Sequence, residues 1–131
     1  MIGLDTNVLV RYVMQDDPKQ SPRAAKLIES LSLDDPGFVS LVALIEFVWV
    51  VTSCYDLSRA QVGQAIDGIL RSKEFVVDRG DQVMQALRVY RAGSADFADC
   101  VIERGGSNAG CQRTMTFDAA AAKTAGMTLI A

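Results

Sequence analysis

Ile2-Gly3-Leu4-Asp5-Thr6-Asn7-Val8-Leu9-Val10-Arg11 opens the chain and sets its fold class. Ile2 to Leu4 is a short apolar run ending at an acid. Asn7 to Met14 continues with helical patterning until Asp16-Asp17-Pro18 breaks it, so the segment reads as strand, turn, helix. The same alternation recurs downstream. Ser21-Pro22 starts a helix whose apolar face carries Ala24, Ala25, Leu27, Ile28 and Leu31 and which stops before Asp35-Pro36-Gly37. A brief strand at Phe38 to Val39 leads to Ser40, a cap for a strongly apolar helix from Leu41 to about Cys54.

Beyond it, Ser58 caps an amphipathic helix with Val62, Ala65, Ile66, Ile69 and Leu70 inward. Phe75 to Val77 reads as a third strand, Asp81 to Tyr90 as a helix, and Ala95 to Arg104 as a further short one. The Gly-rich stretch Gly105 to Gly110 reads as a loop. Arg113 to Phe117 is strand-like, Ala119 to Ala125 helix-like, and Met127 to Ile130 a last strand. Repeated β then α without hairpin signals predicts a three-layer α/β domain around a parallel sheet.

At 131 residues the chain has the size of one domain, and a single domain over residues 1–131 is expected. Half the residues are hydrophobic, which excludes a disordered or highly solvated chain. Met1 to Val10 has no basic n-region, and the longest apolar stretch, Leu41 to Val51, is too short to span a bilayer and contains Glu46. A cytoplasmic protein with no membrane partner is therefore expected. Cys54, Cys100 and Cys111 are widely spaced, and the chain has no histidine to complete a zinc site, so reduced structural thiols are expected. The net charge of −3 argues against strong nonspecific nucleic-acid binding, which needs many cationic phosphate contacts. With four acids gathered around metal, the remaining surface is nearly neutral.

The acids carry the chemistry. Glu46 sits among Leu44, Ile45, Phe47, Val48, Trp49, Val50 and Val51. A helix apolar on every side is a buried one, and a carboxylate there needs a partner from elsewhere in the fold. Either it serves a site, or it is paired with a distant Arg or held protonated. Trp49 reads as packing. Asp5 lies at the carboxyl end of the first strand, where doubly wound sheets place their ligands, and it is equally a helix N-cap. Asp118 stands in the same position after the fourth strand and has the same two readings. Asp96 and Asp99, three apart, share a helix face; Asp96 can serve as a cap, whereas Asp99 lies deeper, beside Cys100-Val101-Ile102. Convergent carboxylates suit Mg²⁺ or Mn²⁺, which take oxygen ligands. Two such ions about 4 Å apart can activate a water for in-line attack on a phosphodiester and stabilise the leaving oxygen. Without histidine, cleavage through a ribose 2′-OH by a histidine pair is excluded.

Four segments carry a family resemblance: Gly3-Leu4-Asp5-Thr6-Asn7-Val8-Leu9-Val10-Arg11, Ile45-Glu46-Phe47-Val48-Trp49-Val50, Asp96-Phe97-Ala98-Asp99-Cys100-Val101-Ile102 and Thr116-Phe117-Asp118. In order and spacing the chain resembles PIN-domain ribonucleases, most closely the VapC toxins of bacterial toxin–antitoxin pairs. The resemblance implies an endoribonuclease using Mg²⁺ or Mn²⁺, with Asp5, Glu46 and Asp99 as core metal ligands, Asp118 a more variable fourth acid and Asp96 in support. It implies that Asn7 and Thr116 help to order those carboxylates. It also implies a five-stranded parallel sheet, a homodimer, and inhibition by a cognate antitoxin protein.

Arg11, Arg59, Arg71, Lys73 and Arg104 are candidates for phosphate contacts, and equally ordinary surface charges. Tyr55 and Tyr90 are candidates to stack on bases. Two other functions fit the same residues. In an aspartate-based phosphatase or phosphoacceptor domain Asp5 would be the nucleophile, but such sites want a lysine near the phosphate, and the late candidate, Lys123, falls well inside the last helix. A non-catalytic RNA or protein interaction module would keep both fold and acids. DNA is an alternative substrate, since attack on a phosphate does not require the 2′-OH.

Overall fold

The structure, a computed structural model, describes residues 1–131. The chain forms two compact units, Met1–Asp78 and Arg79–Ala131.

The first unit runs β1 (Ile2–Gly3), α1 (Thr6–Met14), α2 (Gln20–Glu29), β2 (Gly37–Val39), α3 (Leu41–Ser53), α4 (Arg59–Arg71), β3 (Phe75–Val77). Its strands form a parallel sheet in the order β1-β2-β3, with Ile2 opposite Gly37 and Val39 opposite Val77. Parallel neighbours need crossovers, which the intervening helices supply. Gly37 allows a close approach: a Cβ there would lie 2.7 Å from Leu4 Cδ1 and 2.9 Å from Leu31 Cδ1, so both leucines would have to shift to admit one. The helices begin where their caps stand. Ser40 Oγ accepts the Ala43 N–H at 3.1 Å, and Ser58 forms a reciprocal capping box with Gln61. Helix α1 packs against α2 and α3, and these elements bury Leu9, Val10, Ala24, Ile28, Leu44 and Phe47.

Helix α3 departs from expectation. Leu44, Phe47, Val48 and Val51 are buried, but Val42, Glu46 and Trp49 are exposed, Val42 by 76% and Trp49 by 64%. The helical period explains the difference. Residues 44, 47, 48 and 51 form one stripe and 42, 46 and 49 the opposite one, so the sequence is apolar all round while the unit buries a single face. Glu46 is thus not a buried carboxylate, and Trp49 is not core packing.

The second unit runs α5 (Gly80–Ala92), α6 (Phe97–Asn108), β4 (Met115–Thr116), α7 (Ala119–Thr124), β5 (Thr128–Leu129). Strands β4 and β5 pair in parallel, Met115 opposite Thr128. Helices α5 and α6 pack together, burying Val83, Ala86, Leu87 and Tyr90 from one and Phe97, Cys100 and Val101 from the other. The Tyr90 and Phe97 rings meet edge to face at 5.6 Å. Gly105 and Gly106 lie within α6, not in the expected loop. A Cβ on Gly105 would come 2.8 Å from Gln82 Nε2, and one on Gly106 2.6 Å from Thr114 Oγ1. Here glycine permits close packing, and the turn itself falls to Gly110, at φ +92°.

The expected five-stranded sheet is therefore corrected. Five strands are present and every pairing is parallel, but they form a three-stranded and a two-stranded sheet. The strands are only two or three residues long, so each carries few of the ladder bonds that would knit a wider sheet.

Candidate active site

In the first unit, Asp5 follows β1 and occupies the N-cap of α1, with extended backbone (φ −77°, ψ 158°) and Oδ1 accepting the Thr6 N–H at 2.9 Å. The capping role read from sequence is real, and the carboxylate is solvent-exposed as well. Glu46 projects from the exposed face of α3 between Val42 and Trp49 and takes part in none of the chain's ion pairs. It is therefore neither buried nor half of a Glu–Arg pair. What sets Glu46 apart is a charge on an otherwise apolar exposed stripe. The start of α3, which carries it, is held by Ser40 and by Asp78 Oδ2, which accepts the Leu41 N–H at 3.3 Å. Sequence reasoning missed Asp78. Its signal is the pattern already used for Asp5 and Asp118, an acid directly after an apolar strand.

In the second unit, Asp96 is the N-cap of α6, yet its side chain makes no capping hydrogen bond. Asp99 lies in the first turn of that helix, half-buried. Burial raises its proton affinity above that of an ordinary aspartate, and the negative charges of Asp96 and then Asp118 raise it further. Asp118 caps α7, Oδ1 accepting the N–H groups of Ala120 at 2.8 Å and Ala121 at 3.4 Å. Thr116 Oγ1 in turn accepts the Asp118 N–H at 3.0 Å, a local bond that orients this acid.

The charges of Asp96 and Asp118 thus both reach Asp99, and none of the three is in an ion pair. No group of three acidic or thiol side chains is gathered closely enough to hold an ion. The donor chemistry nonetheless fits a hard cation. The donors are all oxygen, and Asp99 is a half-buried carboxyl near the charges of Asp96 and Asp118 with no ion-pair partner, an environment in which a bound cation would favour its ionised form.

Most of the basic candidates have partners. Arg11 donates from Nε to Gln20 at 2.8 Å and from Nη1 to the Tyr55 hydroxyl at 3.0 Å, and it pairs with Asp16 at 3.4 Å. Arg71 pairs with Asp67 and Arg104 with Glu103. Tyr55 donates to Asp16 at 2.8 Å, and Tyr90 is buried, so Tyr90 offers no face to a base. A cleft of about 280 Å³ opens between α1 and α2, with Asn7 and Arg11 among its lining residues. No disulfide joins the three cysteines; Cys100 is buried and Cys54 and Cys111 are exposed. No helix is long and apolar enough to cross a membrane.

Comparison with protein-family models matches residues 2–130 to the one described as PIN domain. No curated protein matches the chain.

Proposed function

Because this chain belongs to the PIN domain family, whose members are generally Mg²⁺-dependent nucleases, we propose that it is an endoribonuclease acting as a VapC-type toxin. Asp5, Glu46, Asp99 and Asp118 are its catalytic acids. The family match extends through both compact units, which supports treating residues 1–131 as one PIN domain.

The observation that carries the proposal is Asp99, a half-buried carboxyl whose proton affinity is raised by burial first and then by the charges of Asp96 and Asp118, with no cationic side chain in an ion pair with any of the three. Asp5, Glu46 and Asp99 would hold Mg²⁺ or Mn²⁺, with Asp118 and Asp96 in support. The ion, when bound, supplies Lewis-acid stabilisation of phosphodiester charge and a more acidic water. The chain's own part is to position the acids. Thr116 fixes the backbone of Asp118, Ser40 and Asp78 fix the helix bearing Glu46, and Asn7, on the first turn after Asp5, stands ready to order substrate or carboxylate. In-line attack of water on phosphorus, breaking the bond to the 3′ oxygen, would leave a 5′-phosphate and a 3′-hydroxyl. The exposed apolar stripe of Val42 and Trp49 supports protein partners, here a second copy of the chain and a cognate antitoxin. The proposed compartment is the cytoplasm.

The test is cleavage of a mixed pool of structured RNAs, and of matched DNA, by the purified chain with Mg²⁺, Mn²⁺ or EDTA. Discrete metal-dependent cuts in RNA are expected. Asp5→Asn, Glu46→Gln and Asp99→Asn should each abolish them with the fold intact, and Asp96→Asn and Asp118→Asn should do less. Full activity in two of the first three variants would sink the site.

A further inference from the structure

The cleft between α1 and α2 belongs wholly to the first unit and has two kinds of wall. Its aliphatic residues, Val8, Ala24 and Leu27, are buried or half-buried; its polar ones are the half-buried Arg11 and the exposed Asn7, Gln20 and Arg23. At about 280 Å³ it lies just below the usual range for ligand pockets, which suits a single base or sugar better than a large cofactor. The two arginines differ. Arg11 is tethered by Gln20, Tyr55 and Asp16, which holds its guanidinium in place beside the cleft. Arg23 is exposed and enters no ion pair, so its charge is available to an anion. Lys19 and Lys26, one helical turn to either side of Arg23, extend that basic edge.

We propose that this cleft seats one unpaired nucleotide of the RNA substrate, its base against Val8, Ala24 and Leu27 and its phosphate against Arg23. The proposal rests on the nuclease function above and names where the strand next to the cut is held. Unpaired bases are recognised by stacking on aromatic or guanidinium surfaces, extruded ones also by packing on apolar side chains, and both by hydrogen bonds to their edges, which Arg11 and the Asn7 and Gln20 amides are equipped to supply. Continuity with the acids favours RNA over a protein segment as the occupant, because Asn7 lines the cleft and lies two residues after Asp5 on the same strand-to-helix turn.

The experiment uses the full chain. Binding of a fluorescein-labelled random-sequence single-stranded RNA is measured in EDTA over a range of salt, and cleavage of the same pool in Mg²⁺ is sequenced for the bases flanking each cut. Arg23→Glu should weaken binding roughly 3- to 10-fold and flatten the salt dependence by about one phosphate contact. Leu27→Trp, filling the cleft, should alter the flanking-base preference while leaving the melting temperature near that of the wild type. Arg88→Glu, an equal charge change at an exposed position of α5, should do neither. If the wild type cuts RNA and both cleft variants bind and cut as it does, the cleft proposal falls and the nuclease stands. If RNA binding depends on Arg23 but nothing is cut, the cleft stands and the nuclease falls. An acidic amphipathic peptide that binds the wild type but not Arg23→Glu, with RNA binding equal in both, overturns the proposal in favour of a protein partner.

Discussion

Asp99, in the first turn of α6, is half-buried and lies within reach of the charge of Asp96, the N-cap of the same helix; burial first, then Asp96 and last Asp118, the cap of α7, raise its proton affinity. An acid whose proton is held more tightly in the folded state than in the unfolded one destabilises the fold while ionised. Between the ordinary aspartate range and its raised value the folded protein binds more protons, so stability falls as pH rises through that window. Asp99→Asn should therefore melt higher than the wild type at neutral pH in EDTA, with the gain shrinking as pH falls below the ordinary carboxylate range, while cleavage is lost. Thermal unfolding across a pH series measures this, and an Asn variant that melts below the wild type at pH 7 would contradict it.

Asp5 has two separable duties. Its Oδ1 caps α1 through the Thr6 N–H, and asparagine caps as well as aspartate does. Asp5→Asn should leave the melting temperature within about a degree of wild type and abolish cleavage. Asp5→Ala should abolish cleavage and also cost about 1 kcal/mol. Denaturant unfolding of the two variants side by side is the check; equal stability would mean that the capping bond contributes nothing.

These acids show what the sequence can and cannot carry. Asp5, Asp118, Ser40 and Ser58 are legible as caps because capping is local, set by one side chain and the two or three N–H groups beyond it. Strand Phe75–Val77 is legible because turn residues bound a β-branched run. Glu46 is misread because hydrophobicity all round α3 does not say which faces find a neighbour, and that is a tertiary fact. Gly105 and Gly106 are misread because glycine serves both turns and close helix packing, and only the positions of Gln82 and Thr114 decide between them.

The two uses of helical glycine give opposite predictions. Gly68 lies exposed in α4, and a methyl group added there would meet nothing within 4 Å, so Gly68→Ala should stabilise by about 0.5–1 kcal/mol through helix propensity. Gly105→Ala gains the same propensity, but its methyl displaces Gln82, which is 8% exposed and donates to Val101 O at 3.1 Å. Losing that buried bond costs about 1–3 kcal/mol. The net effect should be destabilising, and a Gly105→Ala variant as stable as Gly68→Ala would show that Gln82 moves freely.

Asp17 supplies a pH-dependent hold on α2. Its Oδ1 accepts the N–H groups of Gln20 and Lys19, at 2.7 and 2.9 Å, and these bonds lower its pKa, the Gln20 bond most. For a lowered acid the stabilisation is present above the unfolded-state value and is lost as pH falls through the folded one. Asp17→Ala should therefore lower the melting temperature at neutral pH and converge with the wild type in acid. An equal deficit at every pH would assign the loss to packing instead.

Trp49 is the only tryptophan in the chain, and at 64% exposure it stands beside Glu46 on the uncovered face of α3. If that face is where two copies meet, tryptophan is the residue type most able to anchor it, because large aromatic side chains dominate interface energetics. Its emission should then be red, as for a ring in water, at low protein concentration, and should move to the blue as concentration rises. Sedimentation should follow the same curve. Trp49→Ala should weaken self-association by at least tenfold, about 1.4 kcal/mol, while changing the stability of the dilute chain by no more than about 0.5 kcal/mol, as expected of a surface position. A wild-type chain that stays monomeric with unshifted emission at high concentration would remove α3 as the dimer face. A variant that loses stability when dilute would mean that Trp49 supports its own unit.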